Sequence, residues 1–238
     1  MDDNESLASR LRPTATRPLL GLTILVVEDS RYACDAMRLL CLRSGARIRR
    51  ADCLKSGRRH LQVYRPSVVI VDLGLPDGSG AELISELAVA SPRIDVILGT
   101  SGDSFAEDVA LAAGADGFLA KPVLSVVGFQ NAVLSALPSD RRPTGPRLVV
   151  DDPVLPDPVA YRDDMAHAAD VLEQTQDDAT LAYVTQFLTG VARSAGDGLL
   201  QKAAEDLAEA RDAGHPLKPR LSQINALIKD RLADRMAI

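Results

Sequence analysis

Ile24-Leu25-Val26-Val27-Glu28-Asp29 and Val68-Val69-Ile70-Val71-Asp72 decide the fold of this chain. Each is a run of four aliphatic residues that ends abruptly in carboxylates. A short, unbroken, β-branched run reads as a strand buried on both faces of a parallel sheet. Ligands of open α/β sheets bind beyond the carboxyl ends of such strands, so Glu28, Asp29 and Asp72 are expected to share one crevice. Three carboxylates crowded there repel one another unless a hard cation lies between them. Oxygen ligands with room for water and a phosphate suggest Mg2+.

Two further runs reach the same edge. Val96-Ile97-Leu98 ends in Gly99-Thr100-Ser101-Gly102-Asp103 and delivers hydroxyls, while Gly117-Phe118-Leu119-Ala120 ends in Lys121-Pro122 and delivers an ammonium. Carboxylate, cation, hydroxyl and ammonium together are what a transferable phosphoryl group needs. Asp72 would be the nucleophile, Mg2+ would neutralise developing charge, and Lys121 and Thr100 would hold phosphate oxygens. An aspartate after a strand is by itself a common turn residue. The conjunction of Glu28-Asp29, Asp72, Thr100 and Lys121 is what points to chemistry.

Taken together, Ile24–Ser30 (ILVVEDS), Val71–Gly80 (VDLGLPDGSG), Thr100 and Lys121-Pro122 resemble the receiver domain of two-component response regulators. The likeness covers residues 20–138, with order and spacing intact. It implies a flavodoxin-like fold: a five-stranded doubly wound parallel sheet of order 2-1-3-4-5, with five helices on its two faces. It also implies that Asp72 accepts phosphate from a histidine kinase or phosphotransfer protein. Asp29, Glu28 and Asp72 would hold Mg2+, with the backbone carbonyl of Gly74 completing the protein ligands. Phe118 matches the aromatic that turns inward on activation, and the Lys121-Pro122 bond would be cis.

The sequence departs from that pattern in two places. Glu28 stands where Asp is commoner, which lengthens the ligand but keeps its charge. The stretch from Thr100 to Lys121 is one residue short, so Gly99 could occupy the family's hydroxyl position with Thr100 or Ser101 substituting. Turn and strand signals favour Thr100.

With 238 residues, 46% hydrophobic and 25% charged, the chain can bury a real core. Aromatics are only 3%, with no Trp, so that core must be aliphatic. The formal charge of −6 argues against nucleic-acid binding through bulk charge. Arg47, Arg49, Arg50, Arg58 and Arg59 form a local basic cluster, read as a solvated face of the second strand and helix. Cys34, Cys41 and Cys53 have no CxxC spacing and read as free thiols in a reducing cytoplasm. No apolar run approaches about 18 residues, and Met1 to Arg17 is too polar for a secretory signal.

Residues 1–19 read as a flexible tail, with a short helical turn at Glu5 to Leu11. Residues 139–158 read as a linker, because six prolines between Pro138 and Pro158 favour extended, semi-rigid chain. Residues 159–238 read as four amphipathic helices in an antiparallel bundle, with Leu181, Val184, Leu188 and Val191 at helical spacing along the second. Gln186-Phe187-Leu188-Thr189-Gly190-Val191-Ala192 is similar to the active helix of histidine phosphotransfer domains, His-x-x-Lys-Gly-x-Ala. Gln186 stands at the histidine position and Thr189 at the lysine position, so such a domain could not carry phosphate. An unrelated helical bundle remains the alternative. His167 is a lone helical histidine and His215 lies in a turn.

The expectation is a cytoplasmic response regulator with at most self-catalysed phosphorylation and dephosphorylation. Its helical output or adaptor domain would act on a downstream protein by docking, release or homodimerisation, with no DNA and no membrane. A phosphate-independent scaffold, or a relay intermediate using a histidine of the helical domain, are the competing readings.

Overall fold

The computed structural model describes residues 13–103, 105–143, 147–148, 152–174 and 177–233. Among them, strands β1 (Thr23–Val27), β2 (Arg47–Ala51), β3 (Val68–Asp72), β6 (Val96–Ser101) and β7 (Gly117–Ala120) form one parallel sheet in the order β2-β1-β3-β6-β7. A small antiparallel hairpin, β4 (Gly74–Leu75) with β5 (Gly78–Ser79), follows β3. Helices α1 (Arg31–Ser44), α2 (Leu54–Val63), α3 (Gly80–Ala88), α4 (Ala106–Ala112) and α5 (Val126–Ala136) complete the doubly wound unit. The five-stranded sheet is the expected one. The hairpin is not, since two-residue strands carry no periodic signal.

Side-chain alternation explains the unbroken apolar runs. Ile24, Val26, Val68, Ile70, Val96 and Leu98 pack with Met37 and Leu40 of α1 and with Phe129 and Val133 of α5. Leu25, Val27, Val69, Val71 and Ile97 pack on the other side, with Leu54 of α2, Leu83 and Ile84 of α3 and Ala110 of α4. Successive strand residues face opposite sides, so a strand covered on both must be apolar at every position. At the sheet edge β2 escapes that demand. Arg47, Arg49 and Arg50 are exposed there, and a charged edge discourages pairing with another chain.

The ends of this unit pack more closely than the sequence suggested. Leu19, read as the last residue of a tail, is buried in the core beneath the sheet, and its amide donates to the Ser44 carbonyl at 2.9 Å. Val154, read as linker, is 0% exposed in the same core and its amide donates to the Leu124 carbonyl at 2.9 Å. An apolar side chain within a Pro-rich stretch can be anchored by burial even though no periodicity marks it. The helical turn expected at Glu5 to Leu11 lies outside the described residues. The Lys121-Pro122 bond is cis, as is Ser91-Pro92.

A second compact unit takes in the chain from Pro156 onward together with Ser30–Ala33. It contains α6 (Pro158–Gln174), α7 (Asp178–Ala195), α8 (Gly198–Asp212) and α9 (Lys218–Ala233). Each helix packs on the next and α9 closes on α6. Met165, Leu172, Val184, Leu188, Leu200, Leu207, Ile224 and Ile228 form its core. Asp177 caps α7 by accepting the Thr180 amide at 2.7 Å, and Gly196 ends it in the left-handed region at φ 72°. Asp197 caps α8 and also takes Arg231 at 2.7 Å and the Tyr161 hydroxyl at 2.8 Å. The Arg231 guanidinium outweighs partial burial and holds the Asp197 carboxyl down at about 2.

Two glycines should respond oppositely to alanine. A Cβ at Gly80 would lie 1.9 Å from the Asp72 carbonyl oxygen, so Gly80→Ala should cost about 2–3 kcal/mol by overpacking. Gly190, inside α7, has nothing within 4 Å of that position, so Gly190→Ala should stabilise by about 0.5–1 kcal/mol through backbone entropy. Urea denaturation midpoints check both.

Candidate functional site

The alternation that builds the core also builds the site. Two residues beyond Val26, Ile70, Leu98 and Leu119, all on the α1/α5 side of the sheet, come Glu28, Asp72, Thr100 and Lys121. The four polar side chains continue one face at the carboxyl edge. Lys121 reaches the carboxylates of Glu28 at 2.7 Å and Asp72 at 3.0 Å. The three groups are nearly removed from water, with side-chain exposures of 10%, 0% and 9% for Lys121, Glu28 and Asp72.

Burial and coupling set the electrostatics. Desolvation pushes the Glu28 carboxyl well above its ordinary value; Lys121 opposes this, and Asp72 and Asp29 add to it. Burial alone would lower the Lys121 ammonium, but Asp72 and Glu28 outweigh it and hold its pKa above the ordinary value. A buried ammonium between two carboxylates therefore stays charged.

Glu28, Asp29 and Asp72 each offer an oxygen within 4.8 Å of the others. An all-oxygen donor set at this spacing suits a hard divalent cation that keeps several waters, and so fits Mg2+. Gly74, whose carbonyl the resemblance assigns to that cation, lies in β4 two residues after Asp72.

Strand register bears on which residue supplies the hydroxyl. Thr100 is the cross-strand partner of Asp72, and Gly99 of Val71. A Cβ at Gly99 would lie 2.5 Å from Ala110 and 3.2 Å from the Phe118 ring, on the α4 side. Thr100 thus shares the face of Asp72, while Gly99 and Ser101 alternate away from it. The Thr100 hydroxyl is buried and donates to the Leu119 carbonyl at 2.7 Å. Phe118 is half-buried against the space that Gly99 leaves open.

One contact of the loop after Asp72 was not evident from the sequence. Asp77, at the tip of the β4–β5 hairpin, accepts the amides of Leu54 and Lys55 at 2.8 and 2.9 Å. Its Asp-Gly turn signal was visible, but its partner lies more than twenty residues away. In the second unit, Gln186 is exposed on α7. His167 is exposed on α6, with Nε2 3.1 Å from the Tyr183 hydroxyl and the ring edge-on to Phe187.

Residues 24–128 match the model of the response regulator receiver domain. The KDP operon transcriptional regulatory protein KdpE of Escherichia coli K12 is 34% identical over 99 residues, covering 42% of this chain and 44% of the relative. The probable transcriptional regulatory protein TcrX of Mycobacterium tuberculosis H37Rv is 31% identical over 137 residues, covering 56% and 58%. The chain thus spans about half the length of these curated relatives. Among solved structures, a response regulator from Chloroflexus aurantiacus J-10-fl is similar at 24% identity and a TM-score of 0.46, over 48% of this chain and 96% of the other. The chemotaxis response regulator CheY4 of Vibrio cholerae is similar at 19% identity and a TM-score of 0.41, over 49% and 98%.

Lys121→Met would leave two buried carboxylates without their cation, a loss of about 3–5 kcal/mol at neutral pH. The Glu28 carboxyl, whose pKa is raised in the fold, binds its proton more tightly there than in the unfolded chain. Its contribution to stability therefore grows as pH falls through the raised value and is lost as pH rises. Lys121→Met should consequently recover part of its deficit at mildly acidic pH, which urea titrations at the two pH values will read. Sheet order, edge chemistry and family match agree over the same stretch: residues 24–128 of this chain are a response regulator receiver domain.

Proposed function

We propose that this chain is a two-component response regulator that takes a phosphoryl group on Asp72 and passes the signal to a protein partner through its helical unit. The observation that carries the reading is Lys121, 3.0 Å from Asp72 and 2.7 Å from Glu28, at the edge where Thr100 stands in register with Asp72. The donor is a phosphohistidine of a histidine kinase or phosphotransfer protein. An oxygen of Asp72 attacks phosphorus in line, the P–N bond to the donor imidazole breaks, and an acyl phosphate forms. Lys121 takes a phosphoryl oxygen and offsets the charge brought into a nearly dry site. Glu28, Asp29, Asp72 and the Gly74 carbonyl would hold Mg2+, which supplies charge neutralisation at the phosphoryl oxygens when bound.

Thr100 and Phe118 are the switch. The Thr100 hydroxyl exchanges the Leu119 carbonyl for a phosphoryl oxygen, and Phe118 repacks over Gly99 and Ala110. Together they shift an equilibrium between two arrangements of this face. The chemistry is confined to self-catalysed phosphorylation and dephosphorylation of Asp72. Gln186 has no ring nitrogen for phosphate, so the helical unit serves as output or adaptor rather than as a relay station.

The partner is assigned as protein. Lys202, on α8, is followed by Glu205 and Asp206, a poor surface for a nucleic-acid backbone. KdpE and TcrX are transcriptional regulators, but about half of each lies outside the match, so their output is not carried over. No helix among the described residues is long and apolar enough to cross a membrane. Cys34, Cys41 and Cys53 form no disulfide with one another, which suits a reducing cytoplasm.

Acetyl phosphate with Mg2+ should place one hydroxylamine-labile phosphoryl group on the wild type and none on Asp72→Asn, read by intact-protein mass spectrometry. Equal labelling of Asp72→Asn would move the acceptor elsewhere. Labelling of neither would favour a phosphate-independent scaffold.

A further inference from the structure

The start of α2 needs a cap that its own sequence supplies poorly. A helix N-terminus leaves four amides without intrahelical partners, and Ser, Thr, Asp or Asn at the N-cap ordinarily satisfies one or more. Here the N-cap is Cys53, whose thiol sulfur accepts the Ser56 amide at 3.4 Å. Sulfur is a weak acceptor. The next two amides, of Leu54 and Lys55, are taken by the carboxylate of Asp77 at 2.8 and 2.9 Å. Partial burial works against that carboxylate, but the amides of Lys55 and Leu54 outweigh it and hold its pKa below the ordinary range. The arrangement is a strong, charge-assisted cap supplied from a distant part of the chain.

Asp77 also belongs to the hairpin that leaves Asp72. Gly74 pairs with Ser79 and Leu75 with Gly78. At the hairpin base, the Leu73 amide donates to the Thr100 carbonyl at 3.1 Å and the Gly80 amide to the Leu73 carbonyl at 3.1 Å. At its tip, Gly78 adopts φ +145°, and a Cβ there would stand 3.0 Å from Leu54 Cδ1. The hairpin is pinned to β6 at one end and to α2 at the other, with Gly74 between the two anchors.

We infer that Asp77 is a positioning residue: by binding the α2 N-terminus it sets the Gly74 carbonyl against the carboxylates of Glu28, Asp29 and Asp72 and so tunes their affinity for a divalent cation. This rests on the cation site proposed above. A backbone carbonyl on a short loop is only as good a ligand as the loop is fixed, because ordering it on binding costs conformational entropy. Groups that orient metal ligands typically contribute 10–100-fold to affinity. Asp77 supplies that support, and the weak thiol cap makes α2 equally dependent on it.

The test separates tethering from simple capping. In the full chain, Asp77→Ala removes both the tether and the cap, while Asp77→Ala with Cys53→Asp returns a carboxylate cap to α2 without a tether. Each is titrated with Mg2+ alone, following amide NMR resonances of Gly74 and Leu75, and unfolded in urea without the cation. Asp77→Ala should bind Mg2+ about tenfold more weakly and unfold at lower urea. The double variant should regain the urea midpoint and keep the weak Mg2+ affinity. Recovery of both in the double variant, or unchanged affinity in Asp77→Ala, would overturn the inference. Failure of the wild type to bind Mg2+ would overturn the underlying cation site as well, and is distinguished by appearing before any substitution.

Discussion

A single ammonium holds the working edge of the sheet together. Lys121 lies against Glu28 and Asp72 in a nearly dry pocket, where an unpaired buried charge is costly. Taking all three groups out of water is compensated only if the geometry is good on every side. That requirement falls on three strands at once. β1 must end at Val27 and β3 at Asp72, while β7 must end so that Lys121 projects back over both. The aliphatic body of the sheet supplies stability, and the ion triad limits where the strands can stop.

The period of two residues in a strand then determines which chemistry meets which. Residues at the carboxyl edge inherit the face of the core residues two positions earlier, so Glu28, Asp72, Thr100 and Lys121 converge without any irregular backbone. Gly99 and Ser101 belong to the other face, and Gly99 is where α4 and Phe118 approach most closely. The chain has therefore placed its smallest residue where the aromatic packs and its hydroxyl where the carboxylate stands. Loop support comes from outside the sheet, through the bond from Asp77 to the first turn of α2.

In the helical unit the same physics yields a four-helix scaffold. Apolar stripes close four helices around a shared core, and Asp197 ties the start of α8 to Arg231 of α9 and Tyr161 of α6. Gln186 is exposed where the resembling motif would present histidine. Gly190, which no packing contact requires, leaves bare helix backbone nearby.

The strands, their order of appearance and the carboxylates at their ends were legible because burial on both faces forces unbroken aliphatic runs, and the helices of the second unit because a shared core forces a helical period. Both are local patterns. Turn and strand signals favoured Thr100 over its neighbours, but only tertiary structure puts it in register with Asp72, since register is a relation between strands and a shift of one residue reverses every face. Tertiary structure also decided that Leu19 and Val154 are core, and that Asp77 caps a helix that begins 23 residues before it. Composition and periodicity record what a residue needs from its immediate neighbours. They are silent about partners brought close by folding, because a single hydrogen bond or buried side chain leaves no repeating trace in the chain.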